Sequence, residues 1–150
     1  MLIADCNEYR AGFCKNLCAF RSLQNKNETV RPRRLLLDYS NECGLKYLLL
    51  QKWEVRNYKD IENIIQDKSD SRHDALTSHD LQKLLKALGF VGEFHFPSKL
   101  KTTRQISVTS CNFHEYCRYS IKADKNVTSE EVVFEEEMLK ISAWIQERMK

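Results

Sequence analysis

The chain is poor in the residues that break a backbone: four glycines and two prolines in 150 residues. That supply is too small for a β-sandwich or barrel, which needs a turn about every 8–12 residues. No apolar run reaches the roughly 18 residues that a membrane helix requires. The first residues, MLIADCNEYR, lack the charged-then-apolar layout of a secretory signal. Catalytic signatures are missing as well. There is no glycine-rich phosphate loop, nucleophile elbow, HExxH or CxxC pair. The four histidines, at 73, 79, 95 and 114, form no paired constellation. These absences lead to the expectation of a protein that is not an enzyme.

What is present is a globular composition, 42% hydrophobic and 30% charged. A chain of this length makes a single domain, 1–150, that buries roughly two-thirds of its surface. The net charge of +3 is unevenly spread. Residues 1–34 carry seven basic groups against three acidic, and 95–125 carry six against two, while the tail from Asn126 is acidic. Two basic segments that met in space would form a positive face.

The spacing of apolar residues predicts an α+β fold, mainly α, with four to five helices at 35–54, 58–67, 78–89 and 129–149. In TSHDLQKLLKALGF, Leu81, Leu84, Leu85 and Leu88 lie at i, i+3, i+4 and i+7. Thr77 with Asp80 reads as a capping box, and Gly89 as a left-handed stop. Residues 35–54 read as one helix interrupted at Ser40–Gly44, or as two, with Leu45, Leu48, Leu49 and Trp53 facing the core. Ile61, Ile64 and Ile65 share a face of the next helix. Near the end, Thr128 and Glu131 form a capping box and Val127 pairs with Val132 as a staple. Phe134, Met138, Ile141, Trp144 and Ile145 then make an apolar stripe that either packs inward or meets a partner.

Between these helices, EFHF, QISV and CRYSI alternate with the period of a strand, so a small antiparallel sheet or hairpin is expected around 93–122. Residues 1–34 read as a basic, cysteine-containing N-terminal segment that packs separately, with 22–34 as its linker. Arg31, Arg33 and Arg34, with Lys99, Lys101 and Arg104, are candidates for contact with nucleic acid or an acidic partner.

Six cysteines suit buried thiols, zinc ligands or three disulfides. Two glycosylation sequons, at Asn27 and Asn126, fit the disulfide alternative, and a cytoplasmic location fits the others. Cys6, Cys14 and Cys18, in the pattern C-x7-C-x3-C with Tyr9, Gly12 and Phe20 interleaved, resemble the CCCH zinc-finger family. That resemblance implies structural zinc and binding to single-stranded RNA, although Ser22 stands at the family's histidine position. Cys111, His114 and Cys117 form a second candidate ligand group, C-x2-H-x2-C. As a nucleophilic pair, Cys111 and His114 would point to opposite faces of a strand. The apolar spacing from Ile61 to Leu88 resembles an EF-hand, with Ser69–Asp80 as its loop. Ser69, Ser71 and His73 stand where carboxylates are expected, so the resemblance implies a metal-free version used for protein contacts. LLLQKW followed by a leucine-rich helix is similar to death-fold adaptors.

The leading expectation is therefore a non-enzymatic protein-interaction module, adaptor or regulatory, that binds another protein through amphipathic helices. The alternatives are a zinc-stabilised RNA binder and a secreted, disulfide-linked binding protein.

Overall fold

The computed structural model describes residues 2–125 and 129–150. Seven α-helices occupy them: α1 (Cys6–Leu23), α2 (Val30–Lys52), α3 (Tyr58–Ile64), α4 (Ser71–Ala75), α5 (Leu81–Ala87), α6 (Phe113–Arg118) and α7 (Glu130–Arg148). A single 3-10 turn, Asn27–Thr29, links α1 to α2.

The fold is all-α among the described residues, and this corrects the α+β expectation. The anticipated sheet around 93–122 is reduced to two isolated pairings, Lys101 with Ser107 and Thr102 with Ala123. Phe94 and Phe96 do alternate, but they pack on Trp144 and Phe134 and do not pair with a second strand. CRYSI begins in a helix, with Cys117 and Arg118 the last residues of α6 and the rest in the turn that follows. Phe113, Tyr116 and Cys117, at i, i+3 and i+4, are the buried face of α6.

The long helix α2 is continuous through Ser40–Gly44, and four other helices pack on it. Helix α1 runs antiparallel to it, since Phe13 accepts from the Ser40 hydroxyl at 2.9 Å while Gln51 reaches back to Cys6. Phe13, Leu17 and Phe20 of α1 enter the common core. Helix α7 runs parallel to α2. Arg34 meets Glu131, Asn41 donates to the Met138 carbonyl at 2.8 Å, and Gly44 lies against Ile145. The stripe Phe134, Met138, Ile141 and Ile145 is wholly buried by this packing. It rests on α2 and on Phe113, whose ring stacks on Phe134 at 4.0 Å.

Parallel packing brings two positive dipole ends together, and α2 adds three arginines to its own. Glu131 and Glu135 answer them. Arg31 and Arg34 bind the two oxygens of Glu131 at 2.7 and 2.8 Å, and Arg33 binds Glu135 at 2.8 Å. Arg31 also lies 3.9 Å over the Tyr116 ring, whose hydroxyl bonds Glu131. The expected capping box and staple at Val127–Thr128 fall outside the described residues. The described part shows Glu131 engaged by arginines.

Three helices end alike, with the chain turning left-handed and two backbone bonds closing the last turn. At α5, Gly89 (φ +92) donates to Lys86 and Phe90 to Leu85. Glu54 and Ser120 take the same left-handed position after α2 and α6. Helix α3 stops at Ile64, which is left 68% exposed, so the three isoleucines do not share a buried face.

Gly44 marks the closest approach in the core. A Cβ there would meet Phe13 Cδ2 and Ile145 Cγ2 at 2.8 Å each. Gly44→Ala gains about 1 kcal/mol of helix propensity, but both neighbours are buried and must shift. The expected net result is a loss of about 1–3 kcal/mol, read as a lower midpoint in urea with an unchanged slope.

Candidate functional site

The surface beside α5 carries the most distinctive apolar feature. The turn that closes α5 sets Phe90 over Leu85, and a second left-handed glycine, Gly92 (φ +82), reverses the chain again. Between the two glycines Val91 stands 75% exposed. Gln82, Leu85, Lys86, Phe90, Val91, Gly92 and Phe94 line an open notch of about 190 Å³. Trp144 backs it, edge-on to Phe90 at 4.5 Å and to Phe94 at 6.2 Å. The Arg148 guanidinium lies 3.7 Å over the Trp144 ring and 5.1 Å from Phe90. On the far side of Lys86, Ser71, Ala75, Lys83 and Ala87 line a second depression of about 370 Å³.

A group of ionisable side chains lies where α2, the start of α5 and α6 meet. Glu42 accepts from Lys46 at 2.7 Å and bonds His79 Nδ1 at 2.9 Å. The His79 ring is 5.0 Å from that of His114. His114 is 7% exposed, and its Nδ1 is buried without a partner among the described residues. Burial, then His79, lowers its affinity for a proton. Asp80 caps α5 through the Gln82 and Lys83 amides and accepts from Ser110. Burial, then the charges of Glu42 and Asp80, raises the Asp38 carboxyl well above its ordinary range.

Ser110 donates to the Asp80 carboxylate and to Gln82, and no described imidazole hydrogen-bonds it. The Cys43 thiol is pushed up to about 11 and the Cys117 thiol to about 12, in both cases chiefly by burial. Both are held as protonated thiols.

The sequence-derived ligand groups are not gathered. Cys6, Cys14 and Cys18 all lie on the straight α1, where 12 residues span about 18 Å, so they cannot surround one ion. Cys111 is exposed ahead of α6, while His114 and Cys117 are buried within it. Among the described residues no group of three or more His, Cys, Asp or Glu side chains is placed to hold a metal. All six cysteines are free thiols. Helix α4 occupies the stretch that an EF-hand would use as its loop, which overturns that resemblance.

The arginines proposed for nucleic acid, Arg31, Arg33 and Arg34, are paired internally. Lys99, Lys101 and Arg104 remain exposed. Of the α7 stripe only Trp144 keeps partial access to solvent, so that face as a whole is interior. Sequence reasoning missed the notch, although Leu85 and Phe90 flanking Gly89 are the apolar pair that this helix end joins. No described helix is long and apolar enough to cross a membrane. Comparison with known proteins finds no matching family model, curated protein or solved structure.

The lowered proton affinity of His114 has a defined sign. The unfolded chain binds a proton near the ordinary value of 6.5 and the folded chain only at lower pH, so stability falls as pH drops through that interval. Asp38 acts oppositely, favouring the fold at low pH. Unfolding free energies measured from about pH 7 to 5 are expected to fall less steeply in His114→Gln than in the parent.

Proposed function

We propose that this chain is a non-enzymatic protein-interaction module, and that its docking surface is the notch between α5 and the Val91 turn. The observation that carries the reading is an exposed apolar depression floored by Leu85, Phe90 and Phe94 and backed by Trp144. Aromatic residues with an adjacent arginine are the composition of interface hot spots. At about 190 Å³ the notch is smaller than the roughly 300–1,000 Å³ of small-molecule sites, but it has room for one apolar side chain. The amphipathic faces of α2, α5 and α7 serve the core, so the surface offered to a partner is the turn that closes α5, with Val91 exposed at its tip.

The reading is tested by selecting peptide ligands against the full chain. Those selected are expected to lose about tenfold or more in affinity on Val91→Glu, which changes an exposed side chain and spares the core. Trp144 emission should shift on binding in a Trp53→Phe background. Ligands that bind Val91→Glu as well as the parent would overturn it.

A further inference from the structure

The charges around the notch are one-sided. Lys86 lines both depressions, Lys83 lines the second, and Arg148 lies over Trp144 and 5.1 Å from Phe90 of the notch. All three are exposed, and none forms an ion pair with a described residue. The opposing charge on the same turn is Glu93 alone. Arg148 is also held in place. Its guanidinium stacks on Trp144 and donates one bond to the Trp144 carbonyl at 3.4 Å, which leaves further N–H groups of the planar fork open.

We infer that the partner is a protein segment presenting one large apolar side chain flanked by aspartate or glutamate, the anchor seated between Leu85, Phe90 and Phe94. This rests on the docking reading above and adds the chemistry of the occupant. An acidic residue on one side of the anchor meets Lys86 and then Lys83 as the segment crosses toward Ala75 and Ala87. One on the other side meets Arg148. A basic segment would bring like charges onto the same rim, so the cations select against it as well as for its opposite. The apolar floor supplies most of the affinity, while the rim sets preference and association rate.

The test uses the full chain and three pools of short labelled peptides that share a central Leu, Ile, Phe or Trp. Their flanks are Asp and Glu, Lys and Arg, or Ser and Gly, and binding is read by fluorescence anisotropy. The acidic pool is expected to bind about tenfold more tightly than the basic pool at low salt, with the neutral pool between them. In the double variant Lys86→Glu, Arg148→Glu the order of acidic and basic pools should reverse, with circular dichroism confirming that the helices persist. Acidic and neutral pools that bind alike, and are both lost on Val91→Glu, would overturn the acidic preference and leave the docking surface standing. Failure of all three pools to bind would overturn both.

Discussion

Everything in this fold depends on α2 being able to lie against two long helices at once. Both helices reach the same point on α2, which goes small where that approach is tightest. Gly44 admits Phe13 from α1 and Ile145 from α7. Gly12 lets Cys43 approach α1 in the same way, since a Cβ there would lie 2.9 Å from the Cys43 sulfur. The buried side chains of Ser40, Asn41 and Ser142 between these helices are each hydrogen-bonded. Ser142 donates to Asn41, which donates to the Met138 carbonyl, so α2 and α7 share a buried chain of hydrogen bonds. Such a network fixes register, because a shift of either helix leaves a buried amide without its partner.

The second consequence of parallel packing is electrostatic. Three arginines at the start of a helix oppose its dipole, and they are tolerated because the first turns of α7 bring two glutamates to the same place. Arg34, 4% exposed, would be a severe cost if left alone. Arg31, Arg33 and Arg34, which look in the sequence like part of a surface for a polyanion, are therefore internal structure, while Lys99, Lys101 and Arg104 stay exposed. Lys83, Lys86 and Arg148, near α5, form no ion pair with a described residue.

Four of the seven helices, α2, α3, α5 and α7, were legible in the sequence, whereas α1, α4 and α6 were not. The spacing of Leu81, Leu84 and Leu85 located α5, and that of Phe134, Met138, Ile141 and Ile145 located α7, because the period of 3.6 records which side is buried. The sheet was misread for a physical reason. Alternation in EFHF reports that Phe94 and Phe96 both turn toward α7, onto Trp144 and Phe134, and a single irregular segment lying on a helix does this without a strand beside it. The pairing partner that makes alternation into a sheet is a non-local property. Cys111, His114 and Cys117 suggested a ligand cluster, whereas Phe113, Tyr116 and Cys117 carried the truer signal of a helix. Charge was legible in amount and not in pairing: Arg31 finds Glu131 a hundred residues away. The notch was missed, since Gly89 announces the helix end but neither the second turn at Gly92 nor Trp144 behind it.

Helices α2 and α7 are joined into one cooperative unit around Gly44. Native-state hydrogen exchange measures this directly. Backbone amides of Leu45, Leu49 and Leu50 in α2 should exchange with the same, highest free energy as those of Ile141, Ser142 and Ile145 in α7. Exchange of the α7 amides at a markedly lower free energy than those of α2 would show that α7 detaches by itself and would contradict the account.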